Sequence, residues 1–239
     1  MKKLKGKTAV VTGGGKGIGK AIALALAHEG CNVAIVARTE EELKATQKEI
    51  AAHGVDALAV PADVRNVHEV QALAKKIQRK FGSPEILINN AGVGRFGEVL
   101  KMEERDFRAT LETNLIGVFH CTRAFLPGMI EKHEGHIINI GSLAGKNSFA
   151  GGAAYCASKH GLISFSECLM MEVRHYNIKV SMICPGTVQT NFAPGSKEKT
   201  WALTPEDVSK VVIDVLTSSL GSLVSMVDLR PLRPPSSKR

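Results

Sequence analysis

The chain has no apolar run approaching the ~18 residues that a bilayer-spanning helix needs, so no membrane segment is expected. It also lacks a Pro/Ser/Gly-rich linker, and its 239 residues read as one domain, 1–239, around a single core. The five cysteines (Cys31, Cys121, Cys156, Cys168 and Cys184) form no CxxC motif and no close pair. An odd, scattered set in a chain this long fits reduced thiols in a cytoplasmic protein rather than a disulfide scaffold. The eight histidines give no HxxxH or HxH set, so no metal site is expected. The basic start, residues 1–7, is not followed by an apolar core with a small-residue cleavage site and does not read as a signal peptide.

A charged interior is missing too. The net charge is +8, yet Lys2, Lys3, Lys5 and Lys7 with Arg230, Arg233, Lys238 and Arg239 account for all of it. Residues 8–229 are electrically neutral. A duplex-binding face needs basic residues clustered within the fold. The tails 1–7 and 230–239 are read as solvated ends, and no nucleic-acid partner is expected. The PxxP run beginning at Pro231 is read as a stiff terminal extension.

What is present is a regular alternation. Short apolar runs at 8–12, 32–37, 56–60, 86–89, 136–140, 179–184 and 223–227 read as strands. Several are continuously apolar, as in a sheet covered on both faces. Helices are expected at 21–27, 40–50, 103–126, 152–176 and 205–216. A further helix follows Asn66, a suitable N-cap, with Val67, Val70, Leu73, Ile77 and Phe81 forming one stripe. Pro205 after Thr204 marks another helix start. Alternating strands and helices imply right-handed crossovers and a parallel, doubly wound α/β sheet of seven strands with helices on both faces. Such a sheet binds its ligand beyond the carboxyl ends of the strands, where the strand order reverses.

The first turn, Thr12-Gly13-Gly14-Gly15-Lys16-Gly17-Ile18-Gly19-Lys20, is built for close backbone approach to a phosphate. GxGxxG has no literal register here. GxxxxGK fits Gly14, Gly19 and Lys20, but Ala21 stands where a hydroxyl would hold magnesium. TGxxxGxG fits Thr12, Gly13, Gly17 and Gly19. Farther on, Tyr155 and Lys159 are four residues apart in an expected helix and so share a face. A cation beside a phenol favours the phenolate, so a lowered tyrosine pKa and acid–base work are expected.

With these motifs the chain resembles the classical short-chain dehydrogenase/reductases over nearly its whole length. Asn89-Asn90-Ala91-Gly92 is similar to that family's NNAG motif, and Pro185-Gly186 with Thr190 to its PG motif. Ser142, Tyr155 and Lys159 match its Ser–Tyr–Lys set, with serine and tyrosine 13 residues apart, and Asn114 matches its helix asparagine. The resemblance implies a single-domain Rossmann fold and an NADP(H) cofactor acting on a small-molecule carbonyl substrate. It implies a cofactor site from the turn (Thr12, Gly13, Gly15, Lys16, Gly17, Ile18 and Gly19) and from Arg38, Asp63 and Val64. Asn90, Ala91 and Gly92 would continue it, then Tyr155 and Lys159, and last Pro185, Gly186, Val188 and Thr190. NADP rather than NAD is expected because the second strand ends at Arg38, a donor suited to a 2′-phosphate, with no acid there to accept from a ribose hydroxyl. Lys16 is expected to reach the same group.

The roles the resemblance implies are specific. Tyr155 protonates the carbonyl oxygen, Ser142 donates to that oxygen, Lys159 tunes the phenol and bonds the ribose, and Asn114 holds a relay water. The substrate is expected between 93–99, 143–153 and 187–204, where Phe96, Phe149, Phe192 and Trp201 could form apolar walls. The 3-oxoacyl-carrier-protein reductases look similar, but the ending Val227-Asp228-Leu229-Arg230 departs from their glycine-rich close and looks nearer to sepiapterin- or dicarbonyl-reductase-like members. A homodimer or homotetramer formed through helices 103–126 and 152–176 is implied by the same analogy. A non-catalytic NADP sensor and a P-loop phosphotransferase are the competing classes.

Overall fold

The computed structural model describes residues 4–193, 195–219 and 221–233. The outer parts of both basic tails, and the last proline of the PxxP run, lie outside them. Seven parallel strands form one sheet: β1 Thr8–Thr12, β2 Asn32–Ala37, β3 Ala57–Pro61, β4 Ile86–Asn89, β5 Gly135–Ile140, β6 Ile178–Pro185 and β7 Met226–Leu229. Their order is β3-β2-β1-β4-β5-β6-β7, so the direction of winding reverses between β1 and β4. The helices are α1 Gly17–His28, α2 Glu40–Ala51, α3 Val67–Phe81, α4 Glu104–Leu111, α5 Gly117–Lys132, α6 Ala153–Val173 and α7 Pro205–Leu216.

The sheet has a core on each face, and side-chain alternation sorts residues between them. Ala9, Val11, Val33, Ile35, Ile86 and Ile88 pack with Ile22 and Leu26 of α1, Leu43 of α2 and Val208 and Val212 of α7. Val10, Ala34, Val36, Leu87 and Ile137 face the other way, onto Leu73 and Ile77 of α3, Phe125 of α5 and Leu169 of α6. β1, β4 and β5 are buried along their whole length, as in a sheet covered on both faces; β5 includes two buried polar side chains, His136 and Asn139, bonded to Ser181 and Ser166. Asn66 caps α3, accepting from the backbone N–H of His68 and Glu69. Thr204 and Asp207 form a reciprocal capping box ahead of Pro205 in α7. Among the described residues no helix is long and apolar enough to cross a membrane.

Four elements differ from the expectation. α1 begins at Gly17, inside the glycine turn, and not at residue 21. The last strand is Met226–Leu229, not 223–227. Its register is set by β6, from Met182 opposite Met226 to Pro185 opposite Leu229. The Lys179 ammonium gathers the Ser219 and Ser222 carbonyls at 3.0 and 2.7 Å and shapes the approach to the strand. The segment 103–126 is not one helix: a π-helical turn, Glu112–Ile116, separates α4 from α5, and α5 runs past Pro127 to Lys132. An inserted π turn re-aims side chains, and this one carries Asn114. Finally, α6 ends at Val173, and a 3₁₀ turn covers Arg174–Tyr176.

Candidate active site

The carboxyl ends of β1 and β4 are stitched together at the reversal point. The Thr12 hydroxyl accepts from the backbone N–H of Asn90 and of Ala91, both at 3.0 Å, and donates to the Ile88 carbonyl at 3.3 Å. The Asn90 amide returns two bonds, to the carbonyls of Thr12 at 2.9 Å and Gly13 at 3.3 Å. This pins the glycine turn that follows. Gly13 and Gly17 have φ of 65° and 52°, in the left-handed region that favours glycine. Gly19 is required for space: a Cβ there would stand 2.2 Å from the Gly13 carbonyl oxygen and 2.5 Å from the Asn90 amide nitrogen. Gly19→Ala should therefore displace the turn, lowering stability by about 1–3 kcal/mol. It should also weaken nucleotide binding, as thermal melts with and without NADPH will read. Lys16 at the N-cap makes no side-chain bond to the first turn of α1, so no side chain caps the turn's N–H groups.

A cleft of about 1150 Å³ opens beyond this turn. It is lined by Gly13, Gly15, Lys16, Gly17 and Ile18 on one side and by Asn90, Ala91 and Gly92 on the next. Arg38, Asp63 and Val64 close one end, and Ser142, Tyr155 and Lys159 lie across from them. Pro185, Gly186, Val188 and Thr190 form the roof. That roof is held by a Gly186 N–H to Leu229 carbonyl bond of 2.8 Å and by a bridge between Val188 and Leu203. Three of the residues singled out in the sequence do not line the cleft. Thr12 and Gly19 support the turn, and Asn114 lies behind the wall.

Asn114 is 1% exposed. Its Oδ1 accepts from the Val93 N–H at 2.8 Å, and its Nδ2 donates to the Val93 carbonyl at 2.9 Å and the Ser158 hydroxyl at 3.0 Å. Ser158 in turn donates to the Tyr155 carbonyl at 2.7 Å. The amide thus clamps the loop after Gly92 to α6, leaving one Oδ1 lone pair for any water.

Tyr155 and Lys159 share one face of α6, but the ammonium does not meet the phenol. Lys159 Nζ donates to the Ile140 carbonyl at 2.8 Å and sits 5.8 Å from the centre of the Tyr155 ring. The expected lowering of the phenol pKa is not what this geometry gives. Burial pushes the Tyr155 phenol up to about 12, and the nearby Ser142 hydroxyl only partly offsets that. Burial likewise pushes Lys159 down to about 8. Desolvation penalises each charged form and outweighs an attraction whose partners are not in contact. The Ser142 hydroxyl also accepts from the Ala144 N–H at 3.1 Å, which fixes its position at the end of β5.

At the other end, Arg38 is exposed just past β2, and its charge helps hold the Asp63 carboxyl low. The main cause of that lowering is Arg65, whose guanidinium forks onto Asp63 at 2.6–3.0 Å. Lys16 is already paired, with Glu42 at 2.8 Å. Sequence reasoning missed Glu42 as a lining residue because an acid in a first helical turn is explained by the helix dipole. It also missed Arg230 and Pro231, which line the cleft from the tail, and no local pattern signalled them.

Residues 7–201 match the family model described as short chain dehydrogenase. The chain is similar to the 3-oxoacyl-(acyl-carrier-protein) reductase FabG of Staphylococcus aureus (strain Mu50), with 39% identity over 187 residues, 78% of this chain and 76% of the relative. Among solved structures, a metagenomic short-chain oxidoreductase in complex with NADP superposes with a TM-score of 0.86 at 38% identity, covering 97% of this chain and 99% of its own. An NAD+-bound xylitol dehydrogenase superposes with a TM-score of 0.88 at 28% identity, covering 95% and 98%.

Proposed function

The chain belongs to the short chain dehydrogenase family of oxidoreductases, and from that premise we propose that it reduces a small-molecule carbonyl to an alcohol with NADPH, one domain serving both ligands. The observation that carries this reading is the phenol. Tyr155 lines the cleft together with Ser142 and Lys159, and burial pushes its phenol up to about 12, so it carries its proton at neutral pH. A protonated phenol facing the cleft can give its proton to a carbonyl oxygen as hydride arrives, and the phenolate so formed is the base of the reverse reaction.

The residues present suit a bound dinucleotide. The glycine cradle admits no Cβ at Gly19, no side chain caps the start of α1, and Arg38 lies at the end of β2 without an ion pair among the described residues. When bound, the reduced nicotinamide supplies the hydride. Tyr155 gives its proton to the carbonyl oxygen, and the Ser142 hydroxyl donates to the same oxygen and stabilises the charge developing there. Lys159 supplies positive charge on the same face of α6, 5.8 Å from the ring centre. Asn114 acts through position, holding Val93 and Ser158.

A second reading, reduction of a 3-oxoacyl thioester, is favoured by the similarity to the Staphylococcus enzyme. An NADPH-oxidation assay across ketones, diketones, pterins and acetoacetyl thioesters separates the two. Tight NADPH binding with no turnover of any of these would leave only a nucleotide sensor.

The reading includes a reducing, cytoplasmic setting, supported by cysteines that are all unpaired. It also includes a homodimer or homotetramer. Phe107 of α4, Ile116 of the π turn, Phe119 of α5 and Met171 of α6 are 37%, 42%, 42% and 58% exposed, an apolar surface that a second copy would cover. Light scattering should give a multiple of the 25.6 kDa chain mass, and Phe119→Glu should lower it. A monomeric mass for the parent protein would refute the association.

A further inference from the structure

Aromatic residues are scarce here, with eight Phe, two Tyr and one Trp in the chain. Five of these eleven line this cleft: Phe96, Phe149, Tyr155, Phe192 and Trp201. Phe96, Phe149 and Phe192 form a chain of ring contacts with the Tyr155 phenol. The Phe96 and Phe192 rings lie 5.5 and 5.6 Å from the Tyr155 ring, centre to centre, and Phe149 lies 6.1 Å from Phe96. The rings are tilted to one another by 39°, 55° and 66°. Edges and faces are therefore both presented to whatever enters, the arrangement in which a further ring gains most. Phe96, Phe149 and Phe192 are 40%, 50% and 40% exposed, although large apolar side chains usually bury themselves. A ligand that covers them recovers that loss.

The charged side chains that line this half of the cleft are of one sign, with Asp106 and Asp228 set back from the lining. Arg95, Lys197 and Arg230 line it, whereas the carboxylates in the lining, Glu42 and Asp63, stand at the opposite end beside Lys16 and Arg65. Arg95 and Arg230 have only long pairings, at 3.6 and 4.0 Å, and Lys197 makes no ion pair among the described residues. Guanidinium groups suit a carboxylate.

We infer that the substrate of this cleft is a planar aromatic ketone whose end remote from the carbonyl carries an acidic group. The inference rests on the carbonyl-reductase reading of the same site and leaves the chemistry unchanged: one ketone, one NADPH and one proton become one alcohol and one NADP+, with Tyr155 giving its proton to the oxygen and regaining one from solvent.

The test uses the full chain, saturated with NADP+ for binding and with NADPH for turnover, and three probes: 4-acetylbenzoate, acetophenone and the acetoacetyl thioester of N-acetylcysteamine. Binding is measured by calorimetry with NADP+ as the dinucleotide, and turnover is followed separately. 4-Acetylbenzoate should bind tightest, with acetophenone and then the thioester each weaker by about tenfold. In the double variant Phe149→Leu/Phe192→Leu, which keeps apolar volume and removes two ring faces, affinity for both aryl probes should fall about tenfold and that for the thioester should hold. Equal losses for all three probes would mean that the rings are only structural and would overturn the inference. So would a thioester that matches the aryl acid, or an acetophenone that does. Ranked binding with no turnover of any probe would instead refute the reductase reading and leave the ligand class standing.

Discussion

Replacing Tyr155 by Phe should reduce the rate of carbonyl reduction by about 10²–10⁴-fold while NADPH binds as before. Only the hydroxyl is removed. The ring keeps its contacts with Phe96 and Phe192, and the Tyr155 carbonyl still accepts from Ser158. Stopped-flow NADPH oxidation, with fluorescence titration of the nucleotide, measures both halves of the expectation. Near-normal turnover would end the assignment of Tyr155 as the acid. The pH profile of the parent enzyme adds an independent check. The phenol holds its proton until about 12, so it should not limit the rate at ordinary pH. Lys159 is charged below about 8 and loses its charge above it. The reductive kcat/KM should therefore be flat through neutral pH and fall as pH rises through about 8. Lys159→Met should remove that descending limb.

Much of this arrangement could be read from the sequence, because it depends on residue type at fixed spacing. The β1 turn needs glycine at 13, 17 and 19 whatever the rest of the chain does. Asn66 and Thr204 act as caps through bonds two or three residues away. The apolar stretches 9–11 of β1 and 86–88 of β4 show two covered faces. What was not legible depends on partners far along the chain. The start of β7 follows from its register on β6. The π turn at Glu112–Ile116 interrupts a stretch that periodicity alone carries through as helix. The Tyr155–Lys159 spacing gave the shared face but not where the lysine ends. Its ammonium passes the ring to reach Ile140, so burial and not the neighbouring cation sets the phenol. Asn114 was found by pattern, yet its place behind the wall follows from Val93 and Ser158, neither of which the pattern names.

Replacing Arg38 by Asp should reverse the dinucleotide preference. The NADPH-to-NADH ratio of kcat/KM should fall by about 10²-fold or more, since a charge-assisted bond is worth about 1.5–3 kcal/mol and each 1.4 kcal/mol is tenfold. Three features of the site set the direction. Arg38 is exposed at the end of β2 and has no ion pair among the described residues, so its guanidinium can take a 2′-phosphate without breaking an existing contact. Asp63, the nearest acid it influences, is already committed to Arg65 and does not compete for it. Lys16 is the other cation in reach, but Glu42 holds it at 2.8 Å and cancels its charge. In the Asp variant the 2′-phosphate would therefore meet two carboxylates, at 38 and 42, with only one cation between them, whereas a ribose hydroxyl would gain an acceptor. The pair Lys16–Glu42 is exposed and weakly held, so Glu42→Gln should free the lysine and raise NADPH affinity, by less than Arg38→Asp lowers it. Steady-state kinetics with both nucleotides on the parent, Arg38→Asp and Glu42→Gln decides the matter. An unchanged ratio in Arg38→Asp would show that the 2′ group is read elsewhere and would return the enzyme to the NAD-using members of its family.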